Sequence, residues 1–161
     1  MVVSRSRNET IAAGKAFGSA LKPGDVVALC GTLGTGKTTF IAGACEALGI
    51  RAHVTSPSFT MINEYTAPWG TVVHIDLYRI SSRDEIAELG VAEYFNEQTI
   101  CLIEWAEHVL DLLPERRYLV RIEHGSLDGE RRIVIQQPPG AIVENQERLG
   151  PLFNRLPGTH A

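Results

Sequence analysis

Eight residues, Gly31-Thr32-Leu33-Gly34-Thr35-Gly36-Lys37-Thr38, satisfy G-x-x-x-x-G-K-[ST], and each residue type has a job in holding a polyphosphate. Glycines at 31, 34 and 36 allow backbone conformations that a Cβ would obstruct, so successive N–H groups turn inward and form an anion nest at a helix start. Lys37 brings a point charge to β- and γ-phosphates, and the Thr38 hydroxyl suits a Mg²⁺ bridging them. Thr39 serves either the α-phosphate or only the first helical turn. A glycine turn that merely caps a helix is the alternative, but four specified positions match by chance in roughly one such chain in two hundred. A nucleoside triphosphate with Mg²⁺ is therefore the expected ligand.

Hydrolysis needs more than a cradle: a carboxylate near the metal and a group that positions water. Two hydrophobic runs end in acids, Ile100-Cys101-Leu102-Ile103-Glu104 and Val72-Val73-His74-Ile75-Asp76. Both carboxylates are expected at the carboxyl edge of a sheet, where such folds bind ligands. On residue type alone either acid serves as metal-shell ligand or water-orienting base, and either is alternatively an exposed acid at a strand end. Trp105 reads as packing and His74 as a hydrogen-bonded structural histidine, with a catalytic role as its alternative.

The elements that must position these groups follow from periodicity and turn chemistry. Ile11, Ala12, Ala16, Phe17 and Ala20 recur at helical spacing over residues 8–21, behind a Ser6-x-x-Glu9 capping box. Pro23-Gly24-Asp25 turns the chain into the all-apolar run Val26 to Cys30, which suits a strand buried on both faces of a parallel sheet. A helix is expected over 37–48, a loop at 55–58, and strands over 59–65 and 71–77 that pair as a hairpin. Ser82-Arg83-Asp84-Glu85 opens a short helix through Leu89 with Gly90 behind it, and residues 99–103 form a buried strand. Runs 118–123 and 131–135 flank Gly125-Ser126-Leu127-Asp128-Gly129, a late hairpin. The sum is an α/β sheet with some antiparallel pairing.

At 161 residues, 44% hydrophobic and 21% charged, the chain has the length and composition of one ordinary folded domain. We place that domain at 1–136, followed by a proline-broken tail, 137–161, in which Ile142, Leu149, Leu152 and Phe153 form either a short helix or a frayed end. No apolar run approaches the roughly 18 residues a membrane span needs. The amino-terminal arginines lack an apolar stretch behind them, so a cytoplasmic protein is expected. Cys30, Cys45 and Cys101 lie in apolar segments without metal-ligand spacing and read as buried thiols. A net charge of −4, with no basic run beyond Arg116-Arg117 and Arg131-Arg132, leaves no footprint for gripping nucleic acid. Lysine occurs only at 15, 22 and 37, which excludes a guanine-reading N/T-K-x-D motif. A serine-glycine ABC signature is missing, and Arg79 and Arg83 are the only arginines in the middle region for a kinase lid.

Four blocks in order go beyond the generic motif: Pro23-Gly24-Asp25-Val26-Val27-Ala28-Leu29 running through Gly31 to Phe40, Thr55-Ser56-Pro57-Ser58-Phe59-Thr60, His74-Ile75-Asp76-Leu77-Tyr78-Arg79, and Ile103-Glu104-Trp105. Together they closely resemble the TsaE (YjeE) family, ATPases of bacterial tRNA threonylcarbamoyladenosine synthesis, over about residues 8–136. The resemblance implies a P-loop NTPase-type three-layer sandwich with a mixed, mainly parallel central sheet and antiparallel hairpin elements. It also implies an ATPase that works with TsaD and TsaB proteins, reaching tRNA only through their complex. By matching motifs, Lys37 and residues 31–39 bind ATP, Thr38 and Glu104 the Mg²⁺, and Asp76 assists hydrolysis. Thr55, Ser56 and Ser58 belong to a switch loop, and Asn8, Thr10 and Arg132 flank the adenine. Two positions depart from the family pattern: Thr32 stands where an acid is usual, and Ala106 where a proline is common. The rival readings are a nucleotide-dependent switch with little turnover and a small P-loop kinase.

Overall fold

The computed structural model describes residues 1–140; the reading of Ile142, Leu149, Leu152 and Phe153 lies outside the described residues. Seven strands, β1 (Val2–Ser4), β2 (Val26–Cys30), β3 (Ile62–Ala67), β4 (Gly70–Asp76), β5 (Thr99–Glu104), β6 (Tyr118–His124) and β7 (Arg131–Gln136), form one sheet in the order β1-β7-β6-β2-β5-β4-β3. The four central strands are parallel, β6 to β2 to β5 to β4, and the flanking pairs β1/β7, β7/β6 and β3/β4 are antiparallel. Helices α1 (Arg7–Gly18) and α2 (Lys37–Ala47) cover one face. The other face carries α3 (Arg83–Glu88) and three short 3₁₀ turns at 91–94, 106–108 and 110–112. This is the expected three-layer α/β sandwich.

Strand alternation divides the core. Val27 and Leu29 of β2 join Val72, Ile100 and Leu102 under α1 and α2, whereas Val26, Ala28 and Cys30 join Val73, Ile75, Cys101 and Ile103 under the thinner layer. Because side chains alternate, His74, Asp76 and Glu104 share the α1/α2 face with Val72 and Leu102. Parallel register sets Asp76 beside Glu104 and His74 beside Leu102, so both acids emerge at the same edge.

Both capping boxes form. Ser6 Oγ accepts from Glu9 N and Ser82 Oγ from Glu85 N. The glutamates reach back one residue further than the simplest box requires, to Arg5 N and Ser81 N. Strand β3 begins at Ile62 rather than Phe59 because Met61 takes φ 64°, a left-handed conformation that breaks extended pairing. Strand β1 was not expected; three residues carry too little periodicity to read, and its pairing partner β7 lies at the far end of the chain. All three cysteines are buried free thiols, and burial pushes Cys30 up to about 11 and Cys45 and Cys101 up to about 12. No helix among the described residues is long and apolar enough to cross a membrane.

Helices α1 and α2 touch backbone to backbone. A Cβ on Gly43 would stand 2.1 Å from the Ile11 carbonyl oxygen, and one on Gly14 2.0 Å from that of Phe40. That approach seats Phe17 between Phe40 and Tyr118, with ring centroids 5.6 and 5.3 Å away. Alanine would be favoured over glycine by about 1 kcal/mol in an isolated helix, but overpacking costs about 1–3 kcal/mol and here the obstacle is rigid backbone. Gly43→Ala is therefore expected to lower stability in chemical denaturation; an unchanged or higher midpoint would show that the helices can part without cost.

Candidate functional site

Strand β2 delivers the chain to a loop whose first and last glycines fix its path. Gly31 takes φ 146°, and a Cβ there would meet the Ile122 carbonyl oxygen at 2.2 Å. Gly36 is the N-cap of α2 at φ 97°, and no side chain caps this helix, so its first-turn N–H groups have no side-chain acceptor. Amides and the positive helix end together make an anion cradle. From inside, the loop is held by Thr35, fully buried, whose hydroxyl donates to Thr32 O at 3.0 Å. From outside, Arg131 of β7 holds it, Nε donating to Thr35 O and Nη2 to Gly34 O, both at 3.1 Å. In a planar trans peptide the carbonyl and the following N–H point oppositely, so Arg131 gripping Thr35 O turns Gly36 N–H the other way.

Lys37 is only 4% exposed. Its ammonium donates to Gly31 O at 2.6 Å and Thr32 O at 3.1 Å and lies 3.8 Å from the centroid of the Trp105 ring. Burial pulls its pKa below the usual lysine value, opposed by the charges of Glu104, Glu107 and Asp76. Trp105 reaches this position from a left-handed backbone, φ 59°, with Tyr78 packed on its ring at 4.9 Å.

The two strand-end acids do different things. Glu104 Oε1 accepts the Thr38 hydroxyl at 2.7 Å and faces His74 Nε2 at 2.8 Å. Asp76 instead ties down the loop before β3: its Oδ2 accepts from Ser56 at 2.6 Å and Ser58 at 3.0 Å, and its Oδ1 from Tyr78 N at 2.9 Å. A cleft of about 590 Å³ opens between them, lined by Lys37, Thr38, Thr39, Ser56, Ser58, Asp76 and Glu104 together with Leu33, Gly34 and Gly36. Phe59, Tyr78, Arg79 and Trp105 complete its wall, with Arg79 4.5 Å over the Phe59 ring.

Most of the sequence-derived site is thus gathered in one place. Gly31, Thr32 and Thr35 build the loop from behind rather than lining the cleft. Thr55 sits just outside, its carbonyl accepting from Asn63 Nδ2 at 3.4 Å. Asn8, Thr10 and Arg132 lie outside the cleft lining. Asn8 is exposed on the first turn of α1, Thr10 spends its hydroxyl on Ser4 at 2.7 Å and Ser6 O at 3.3 Å, and Arg132 bonds Ser126 at 2.6 Å. The residue one position away, Arg131, is the one that touches the loop, and sequence reasoning missed it together with Glu107, while Phe59 and Tyr78 stood within the quoted blocks without a role of their own. Glu107 brings a carboxylate 3.4 Å from Gly31 N, at a loop where Thr32 offers none. The only usable signal was strand alternation, which separates Arg131 from Arg132 but does not say which faces the loop.

The donor set fits a hard cation carried in by a phosphate. Thr38 and Glu104 offer oxygen, and magnesium takes only one or two protein ligands beside phosphate oxygens and water. Among the described residues no group of three or more His, Cys, Asp or Glu side chains forms a cage of its own.

A glycine-rich loop joining a central parallel strand to a helix, with an acid ending the neighbouring strand, defines an α/β protein of the P-loop NTPase type. The family model for "Threonylcarbamoyl adenosine biosynthesis protein TsaE" matches residues 4–133. The tRNA threonylcarbamoyladenosine biosynthesis protein TsaE of Bacillus subtilis is 45% identical over 125 residues, 78% of this chain and 77% of that protein. That of Treponema pallidum is 40% identical over 134 residues, 83% and 97% of the two chains. The crystal structure of Bacillus subtilis YdiB superposes with a TM-score of 0.78 at 35% identity, covering 93% of both chains. The chain belongs to the TsaE family.

Arg131→Ala is expected to speed hydrogen exchange of the amides at 34–36, whereas Arg132→Ala leaves them as in the wild type. Equal protection in the two variants would show that the loop holds its shape without β7.

Proposed function

We propose that this TsaE-family chain binds and hydrolyses Mg-ATP and that its cycle serves TsaD and TsaB partners in forming threonylcarbamoyladenosine on tRNA. The observation that carries the reading is the meeting of Lys37, Thr38 and Glu104 at the uncapped start of α2, facing a cleft large enough for a nucleotide. Amides of residues 34–38 and the α2 dipole would hold phosphate oxygens. Lys37, now bonded to two loop carbonyls, would exchange those contacts for phosphate oxygens, an exchange that offsets the cost of its desolvation. Thr38 and Glu104 would hold Mg²⁺, which when bound supplies charge neutralisation across the phosphates.

Asp76 divides its acceptors between the loop at 56–58 and the backbone at Tyr78. A serine that turned toward a γ-phosphate would release one Asp76 lone pair, which could then orient a water for attack. Asp76 thereby links the position of the 55–60 loop to the state of the nucleotide, and that link is the output a partner can read. With a net charge of −4 and no basic groove in its composition, the chain leaves tRNA to the assembled complex.

ATP hydrolysis by the purified chain, alone and with TsaD and TsaB, tests this. Stimulation by the partners is expected in the wild type and its loss, by at least about 100-fold, in Lys37→Ala. Bound ATP with no stimulation would reduce the protein to a passive nucleotide switch, and phosphate found on an acceptor other than water would make it a kinase.

A further inference from the structure

His74 stands within β4 with no exposed surface, and among the described residues its ring makes one polar contact, Nε2 to Glu104 Oε1 at 2.8 Å. Its other nitrogen, Nδ1, is buried with no hydrogen-bond partner. A buried polar atom without a partner destabilises a fold, and an apolar residue beside Val72 and Leu102 on this face would avoid that penalty. The ring therefore calls for a role that Nε2 alone performs. Of the two neutral tautomers, only the one with hydrogen on Nε2 donates to Glu104; the other sets two lone pairs against each other at 2.8 Å.

Glu104 explains what that bond does. Oε1 accepts both the Thr38 hydroxyl and His74, while Oε2 receives no hydrogen bond from the described residues. Thr38 is itself a candidate cation ligand: its hydroxyl has lone pairs to give a metal beside the hydrogen it gives Glu104, so its geometry would answer to two partners. The His74 bond carries no second demand, since Nε2 has Glu104 as its one partner among the described residues and the ring is fixed within a strand flanked by β3 and β5.

We propose that His74 is a positioning residue for the cation site. It holds Glu104 Oε1 from β4 while Thr38 serves both Glu104 and the cation, and so would keep Oε2 free for the metal shell. The inference rests on the Mg-nucleotide reading above and adds a residue to it. Outer-shell partners of this kind typically contribute about 10- to 100-fold in metal affinity.

Two measurements on the full chain decide it. Long-range ¹⁵N–¹H correlation on the nucleotide-free protein should show His74 hydrogen on Nε2; hydrogen on Nδ1 overturns the proposal whatever the protein binds. Calorimetry with ADP, with and without Mg²⁺, should show that His74→Leu cuts the strengthening by Mg²⁺ about tenfold or more at unchanged metal-free affinity. His74→Gln, whose Nε2 can donate to the same oxygen, should recover most of it. An Mg²⁺ effect in His74→Leu equal to the wild type, or a loss of metal-free affinity to the same degree, overturns the positioning role. A wild type that binds ADP with no Mg²⁺ effect also overturns it, while nucleotide binding stands; a wild type that binds no ADP at all overturns the nucleotide reading and this inference together.

Discussion

One carboxylate oxygen ties three elements of this protein together. Glu104 Oε1 ends β5, receives the first turn of α2 through Thr38, and meets β4 through His74. The bond to Thr38 is possible only because β5 lies directly beside β2, so that the loop leaving β2 starts its helix next to the strand that ends in Glu104. The β4/β5 register then sets Asp76 beside Glu104, and Asp76 in turn holds Ser56 and Ser58. A shift of one residue in either strand would point the acids to the opposite face, away from α2.

The surroundings supply the rigidity this arrangement needs. The central strands are buried on both faces, and α1 reaches the backbone of α2 through glycines, fixing the helix that carries Lys37 and Thr38. The loop between is braced from both flanks, by Arg131 and His124 on one side and by Trp105 over Lys37 on the other. In contrast, Phe59 is 83% exposed beside the Ser56 and Ser58 latch, and Met61 holds a left-handed backbone just after it. The rigid cradle and this exposed loop meet at Asp76.

Much of this was legible in the residues because it depends on local chemistry. The glycine loop, the all-apolar β2, the short buried β5 and both capping boxes carry their own signals, and the structure contains each. The acids ending β4 and β5 were legible as a pair, but not the difference between them, since it arises from partners 18 to 66 residues away. Arg131 was missed because reading which face of a hairpin strand meets a distant loop requires the sheet order, and β1 because its pairing is set by β7 across the whole fold. Trp105 read as packing is half of the answer: it packs against Tyr78, and its other face covers the Lys37 ammonium.

A Mg-nucleotide seated in this cleft would draw Lys37 from the carbonyls it holds within the protein and add a metal to the partners of Thr38. A crystal structure of the full chain with Mg²⁺ and a non-hydrolysable ATP analogue tests that directly. It should show Lys37 Nζ withdrawn from the Gly31 and Thr32 carbonyls to phosphate oxygens, and Thr38 Oγ1 on the metal with Glu104 still bonded to His74. A nucleotide bound elsewhere, or phosphates in the cleft with Lys37 still on the loop carbonyls and no metal on Thr38, would contradict it.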